Sequence, residues 1–443
     1  MQTLINAVEK YRNLIFEAER HIWKHPETGY REVKTSAYME EKFEELGYAL
    51  TRAGNIPGFY TILDTGRPGP EILIMGELDS LICPNHPESD PKTGYVHACG
   101  HHAQCAALLG IAAALKEPGA LDELCGKIRL CAVPAEELIE IGYRSELKKN
   151  SIIKYFGGKG EFLYRGYFDG VDIAFMVHSS SAFGTQSGSV GCLAKTIHYK
   201  GVSSHAGGNP AGGINALYAA SQGLSAANAI RETFTEKDII RFHPIITHGG
   251  EAVNAIPELV TIESYVRGIS FDAIQNANKK INRALCGGAL SIGGNIEIID
   301  MPGYAPLKND ENMIQLTKDA ADLVIPEENF YISEKPSSGS TDMGELCGLM
   351  PVIHPYSSGT VGSAHSANYG IADPEKACVK SAKLQLCMVY LLLKDEGKRA
   401  KEIIENFEPV FASKEAYFEY IDSLYSEGDR INYNENGTAT VRL

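Results

Sequence analysis

Short apolar runs alternate with longer segments of helical periodicity through much of this chain. Residues 71–76, 127–133 and 171–177 have the composition of strands that are buried on both faces. An apolar segment of helical length, residues 106–115, lies between the first two runs, and another, residues 376–393, follows near the end. Because strands that alternate with helices form parallel sheets, the pattern predicts an α/β fold with a doubly wound, mostly parallel sheet.

The pattern changes at about Gly191, where apolar and polar residues begin to alternate as in a half-exposed strand. Up to residue 303 the predicted element order is βαββαβ, which is typical of a small ferredoxin-like α/β sandwich. We therefore predict a discontinuous catalytic domain of residues 1–190 and 304–443, with a lid or dimerisation domain of residues 191–303 inserted into it. Residues 145–170 are predicted to form a loop or an irregular insertion. The charged tail after Lys394 is predicted to form a surface helix without chemistry.

Composition narrows the classes of function. The 443 residues are enough for two or more domains, and the formal net charge of −15 argues against nucleic acid or an anionic membrane as a partner. No apolar run approaches the length of a membrane span, and the first residues lack the layout of a signal peptide. The ten cysteines are scattered, as in reduced proteins. We therefore expect a cytoplasmic protein.

The densest group of potential metal ligands is the segment from His97 to Cys105. Cys99 lies in a predicted turn and His101 at the start of a predicted helix, so both side chains can face one point. A helix N-terminus favours a thiolate, and a thiolate with an imidazole suits zinc or a similar cation. Taken alone, the segment is equally compatible with a chance cluster in a helix cap.

Further candidate ligands follow the predicted strands. Asp79 follows the first buried strand, Glu136 and Glu137 follow the second, and His178 follows the third. Since ligands of doubly wound sheets bind beyond the carboxyl ends of the strands, these side chains are expected to meet near the Cys99 segment. The sequence therefore predicts a metal centre at this edge of the sheet.

Four motifs together resemble those of a known family. They are Cys99-Gly100-His101, Pro134-Ala135-Glu136-Glu137, Ser203-Ser204-His205-Ala206 and Asn254-Ala255-Ile256-Pro257. In order and spacing they are similar to the M20 metallopeptidase clan, in particular its cysteine-ligand amidohydrolase branch. That branch includes aminoacylase-like, hippurate-hydrolase-like and aminobenzoyl-glutamate-hydrolase-like enzymes.

The resemblance implies a centre of two divalent metal ions, zinc or manganese, and a homodimer. It assigns five ligands: Cys99, His101, Glu137, His178 and His365. It makes Glu136 the general base and Asp79 the residue that orients a ligand. In the inserted domain it makes His205 a catalytic residue and Asn254 a substrate contact. Arg267 is placed to bind a substrate carboxylate, although a structural ion pair is an equal alternative.

The implied activity is metal-dependent hydrolysis of the amide bond in N-acyl amino acids, aminobenzoyl-glutamate-like conjugates or dipeptides. Two alternatives stay open, a dipeptidase or exopeptidase of the same clan and a non-catalytic relative that only binds metal. The adjacent Glu136 and Glu137 favour an enzyme, because a protein that only binds metal has no need of a general base.

Overall fold

The computed structural model describes all residues from Met1 to Leu443 and divides them into two compact units. The first unit comprises Met1–Gly188, Leu307–Ser337 and Thr341–Lys414. The second comprises Ser189–Pro306, Ser338–Ser340 and Glu415–Leu443. The end of the chain, Glu415–Leu443, thus belongs to the second unit and not, as predicted from the sequence, to the catalytic domain.

The first unit is built on a six-stranded sheet. Its strand order is Thr51–Arg52, Phe59–Asp64, Lys127–Val133, Glu71–Glu77, Ile173–Phe175 and Val352–Ile353. The last four strands are parallel, while Phe59–Asp64 runs antiparallel to Lys127–Val133. The fold is therefore mixed α/β with a mostly parallel sheet. Every residue of Glu71–Glu77 is buried, as its unbroken apolar run predicts.

Helices cover this sheet. They span Gln2–Lys10, Arg12–Trp23, Val33–Glu45, His101–Leu115, Ile141–Lys149, Gly158–Tyr164, Glu311–Val324, Gly344–Cys347, Ser381–Leu393 and Lys398–Glu405, and a π-helical segment spans Glu375–Lys380. All 15 residues of His101–Leu115 are buried. This helix packs against Arg12–Trp23 and Ser381–Leu393, because it has no polar face to turn toward solvent.

Smaller sheets extend the first unit beyond the strand ends. One has the order Tyr331–Ser333, Gly184–Gln186, Tyr356–Ser357 and His178–Ser179. Two short pairs are Leu81–Ile82 with Tyr95–Val96 and Thr360–Val361 with Gly370–Ile371. The predicted strand at 171–177 is thus shorter than expected, and His178 lies in a separate small sheet.

The prediction of a loop or an irregular insertion over residues 145–170 is wrong, because Ile141–Lys149 and Gly158–Tyr164 are helices. A Cβ atom at Gly158 would lie 1.6 Å from the carbonyl oxygen of Pro134, so the glycine permits this helix to touch the backbone before Glu136. The low helix propensity of glycine is therefore outweighed by a tertiary contact that the local sequence does not reveal.

The second unit contains an antiparallel sheet and two long helices. The strand order is Arg241–Phe242, Leu259–Gly268, Gly191–Lys200, Asn295–Pro302 and Ser426–Asp429, and Ile245–His248 also pairs with Leu259–Gly268. The helices Ala216–Ala229 and Phe271–Leu290 pack on each other and on the sheet. Alternate residues of Leu259–Gly268 are buried, as in a sheet that is covered on one face.

The tail contributes structure to the second unit. A helix spans Lys414–Ser423, Ser426–Asp429 adds an edge strand beside Asn295–Pro302, and Ile431–Tyr433 pairs with Ala439–Val441. Arg430 is buried and donates a hydrogen bond to the carbonyl oxygen of Ile298 at 3.0 Å. A short charged strand of this kind carries no apolar alternation, which explains why the sequence predicted only a surface helix here.

None of the helices has the combination of length and hydropathy that a bilayer-crossing segment requires.

Candidate metal centre

The first group of potential ligands lies where the helix His101–Leu115 begins. The ligand atoms of Cys99, His101 and His178 lie within 4.8 Å of one another, and Cys99 Sγ is 3.4 Å from His178 Nε2. Gly100 has a left-handed φ of 93°, and a Cβ there would lie 1.9 Å from Ser179 Oγ. Glycine at this position therefore allows the tight turn that directs Cys99 and His101 to one side.

A second group shares the same thiol. The ligand atoms of Cys99, Glu137 and His365 also lie within 4.8 Å of one another, with Glu137 Oε1 at 3.0 Å from His365 Nε2. Glu137 is buried, whereas the side chain of His365 is 53% exposed. Cys99 therefore belongs to two ligand triplets, one deep and one open toward solvent.

The imidazoles of His101 and His178 are oriented by hydrogen-bond acceptors on the side that faces away from the centre. His101 Nδ1 lies 2.9 Å from the carbonyl oxygen and 3.1 Å from Oδ1 of Asp79, and His178 Nδ1 lies 2.8 Å from the carbonyl oxygen of Ser179. Protons on both Nδ1 atoms leave the Nε2 lone pairs directed at the centre. Asp79 also accepts a hydrogen bond from the Glu137 N–H at 2.8 Å.

One buried atom has no hydrogen bond to explain its position. His101 Nε2 is fully buried and makes no hydrogen bond, although acidic oxygens lie nearby. An imidazole nitrogen with an unused lone pair, beside the Cys99 thiol and the His178 imidazole, fits a divalent cation. The side chains present therefore fit the two-cation centre that the sequence resemblance implies.

The pKa shifts of the side chains at the centre agree with a set of negatively charged metal ligands. Burial opposes ionisation of Cys99, but His101 and His178 outweigh it and lower the pKa of the thiol to about 6. Burial also opposes ionisation of Glu137, yet the His365 side chain lowers its pKa to about 2. Desolvation works against the charge on His365, but Cys99 and Glu137 raise its pKa to about 11. Protons on the imidazoles thus offset negative charge that a bound cation would offset instead.

Glu136 lies beside the ligands and is almost fully buried. Its Oε2 is 3.8 Å from His101 Nε2, and burial, together with Glu77 and Glu137, raises its pKa well above the usual range. The preceding Ala135 has a φ of 58°, and its N–H donates to Glu32 Oε1 at 2.7 Å. A non-glycine residue in this conformation is strained, and the buried Glu32 stabilises the turn that carries the two glutamates.

Three predicted site residues lie in the second unit. His205 forms an isolated bridge with Ala255, and the Ala206 N–H donates to the Asn254 carbonyl at 2.9 Å, so the His205 and Asn254 segments are adjacent. His205 Nδ1 accepts from the N–H groups of Gly207 and Gly208 at 3.2 and 2.8 Å, which leaves its proton on Nε2.

Arg267 forms no ion pair with an acidic side chain. The alternative that it serves in a structural ion pair is therefore excluded. Its Nη1 donates to Ser340 Oγ at 3.2 Å, and its guanidinium carbon lies 5.6 Å from the centre of the Tyr265 ring. Its Nε is buried without a hydrogen bond. A guanidinium with unused donors suits a bidentate anion such as a carboxylate.

Several buried polar residues near the metal centre were not predicted from the sequence. Glu77, Lys159 and Asp342 form a fully buried charged cluster that was not predicted from the sequence. The position of Glu77, two residues before Asp79 at the end of a buried strand, was the available signal. His102 is also buried, and its Nε2 lies 3.2 Å from Glu19 Oε1.

Comparison with known proteins identifies the family. Residues 73–390 match the model of peptidase family M20/M25/M40. The chain belongs to this family. It is thus an enzyme of the M20 peptidases and amidohydrolases, and the motif resemblance is confirmed.

Two curated relatives and one solved structure show the range of this M20 group. The chain is 28% identical over 350 residues to Xaa-Arg dipeptidase of Mus musculus, covering 76% of this chain and 74% of that protein. It is 29% identical over 321 residues to N-acetyl-L-cysteine deacetylase of Bacillus subtilis, covering 68% and 70%. A dinuclear metal binding M20 peptidase of Bacillus subtilis superposes with a TM-score of 0.65 at 20% identity, covering 87% of this chain and 99% of that one.

Proposed function

We propose that this M20 enzyme is a metal-dependent amidohydrolase that cleaves the amide bond of small N-acyl amino acids or dipeptides. The observation that carries the proposal is the pair of ligand triplets that share Cys99. Relatives named as a dipeptidase and as an N-acetyl-L-cysteine deacetylase support this substrate class.

The ligands in this proposal are Cys99, His101 and His178 for one ion and Cys99, Glu137 and His365 for the other. When bound at these ligands, two such ions, zinc or manganese, would supply an activated water and would polarise the amide carbonyl. Asp79 acts through its neighbours, because it contacts both His101 Nδ1 and the backbone of Glu137. It is therefore a positioning residue and not a group that touches substrate.

Glu136 is the proposed general base. Its carboxylate accepts the proton of the attacking water and returns that proton to the leaving amine. Burial and the neighbouring Glu77 and Glu137 give this carboxyl group a raised proton affinity, which suits a group that must hold a proton between the two transfers.

In the second unit, His205 is the proposed donor to the developing oxyanion, since its Nε2 carries the ring proton. One such donor contributes roughly 3 kcal/mol to the transition state. Arg267 is the proposed contact for the substrate carboxylate, and Asn254, next to the His205 segment, a further substrate contact. A guanidinium without an acidic partner favours substrates that retain a free carboxylate beside the scissile amide.

The test is the Glu136→Gln variant, assayed with zinc or manganese against N-acyl amino acids, aminobenzoyl-glutamate and dipeptides in parallel. We expect wild-type metal content and a loss of turnover of about 100-fold or more. Glu408→Gln, on an exposed side chain of the same unit, is the matched control and keeps full activity. Undiminished turnover by Glu136→Gln would exclude the proposed base.

The same panel separates the alternatives. Hydrolysis of dipeptides alone would favour an exopeptidase, whereas bound metal without hydrolysis of any substrate would favour a non-catalytic relative.

A further inference from the structure

Glu77 is a buried carboxylate beside the metal centre, and the proposed mechanism gives it no contact with a metal ion or substrate. It ends the strand Glu71–Glu77 and is wholly inaccessible to solvent. Its Oε1 forms an ion pair with Lys159. Its Oε2 accepts a hydrogen bond from Gln104 Nε2 at 2.9 Å and lies 3.2 Å from His101 Nε2. This last distance is one that separates two ligands of a single ion.

Lys159 is the partner that fixes this carboxylate. It is fully buried, and its Nζ forms ion pairs with Glu77 and Asp342. Its backbone N–H donates a hydrogen bond to Asp342 Oδ2 at 2.9 Å. Because an apolar pair of similar volume stabilises a core as well as a buried ion pair does, stability alone does not account for these charges.

Two groups of potential metal ligands share one nitrogen atom, His101 Nε2. His101 belongs to the thiol-containing triplet with Cys99 and His178, and also to a carboxylate triplet with Glu77 and Glu136. The lone pair of His101 Nε2 can bind only one ion at a time. Thiolate and imidazole favour zinc, whereas carboxylates favour harder cations such as manganese and magnesium.

We propose that Lys159 is a positioning residue that assigns His101 to the thiol-containing triplet and so sets the metal preference of the centre. The fixed ammonium offsets the charge of Glu77 and repels a divalent cation from the carboxylate triplet. The inference rests on the two-cation centre of the proposed function.

The test is a competition between zinc and manganese for metal-free protein, with Lys159→Gln compared to wild type. We expect the ratio of the dissociation constants for zinc and manganese to change about 10- to 100-fold in favour of manganese binding. Bound Co²⁺ provides a spectroscopic readout, because its thiolate charge-transfer absorption should weaken as His101 turns from the thiol-containing triplet to the carboxylates.

Two variants serve as controls. Lys195, in the second unit, is also fully buried and pairs with Asp300 and Asn282. Lys195→Gln should therefore leave the metal ratio and the Co²⁺ spectrum unchanged. The double variant Lys159→Gln/Glu77→Gln removes both the cation and the competing carboxylate, so its ratio should return toward the wild-type value.

A folded Lys159→Gln protein with the wild-type ratio and Co²⁺ spectrum would overturn the inference. If that variant does not fold, Glu77→Gln alone tests the same claim, because its ratio should move further toward zinc, and an unchanged ratio contradicts it. Failure of the proposed function is distinct, because it would appear in the wild-type protein, either as no cation bound at the Cys99 cluster or as no hydrolysis of any substrate in the panel.

Discussion

Cys99 is the residue on which both ligand triplets depend. Its thiol is buried and close to His178, and a lowered pKa of about 6 keeps it largely ionised at neutral pH. A thiolate that belongs to both triplets can bridge two ions. Removing it should therefore affect both ions and not one.

We predict that Cys99→Ala lowers the metal content of the purified protein to less than half of the wild-type value. Elemental analysis after dialysis measures it. Cys83→Ser, at a partly exposed cysteine outside the triplets, is the control and should retain full occupancy. Loss of a single ion from Cys99→Ala would contradict the shared-ligand arrangement.

Asp79 provides a second prediction at this scale. The Asp79→Asn variant keeps the shape of the side chain but weakens the acceptor of His101 Nδ1. We expect metal affinity to fall about 10- to 100-fold, measured by competition with a chelator of known affinity. Wild-type affinity in a folded variant would show that the backbone carbonyl of Asp79 alone orients the imidazole.

At the scale of elements, the predictions succeeded where one strand or helix lies wholly in the core. Lys127–Val133 was predicted with its observed bounds, and Glu71–Glu77 within one residue, because continuous apolar runs leave few alternatives. Gly158–Tyr164 was missed because its glycines disfavour a helix locally. As a result Lys159 was not recognised as a neighbour of the centre.

The helix Gly158–Tyr164 gives a prediction about stability. In Gly158→Ala the new Cβ meets the Pro134 carbonyl, so we expect the free energy of unfolding to fall by about 1–3 kcal/mol. Activity should fall as well, since the displaced backbone carries Glu136. Denaturant titration measures the first effect and turnover the second.

Gly142→Ala is the matched control, because Gly142 lies in the helix Ile141–Lys149 with no atom within 4 Å of a new Cβ. It should leave stability unchanged or raise it by up to about 1 kcal/mol. Equal destabilisation by the two substitutions would contradict the close approach at Pro134.

At the scale of the whole molecule, each unit has its own hydrophobic core. The motifs identified the family, and the structure brings the five proposed ligands together in the first unit. The sequence placed the tail incorrectly, because its edge strand is held by pairing with Asn295–Pro302 and not by an apolar pattern of its own.

The separate cores lead to a further prediction. Asp300→Asn leaves the buried Lys195 without its anionic partner, which should lower the stability of the second unit by about 3–5 kcal/mol. Hydrogen exchange should show faster opening of Gly191–Lys200. Metal content of the first unit should stay at the wild-type value, and a loss of metal would contradict this independence.

The central claim is that two cations bind on either side of one thiolate. Anomalous diffraction from crystals of the wild-type protein grown with zinc tests it most directly. The account predicts two peaks, each within bonding distance of Cys99 Sγ, one beside His101 and His178 and the other beside Glu137 and His365. A single peak, or peaks that do not share Cys99, would contradict it.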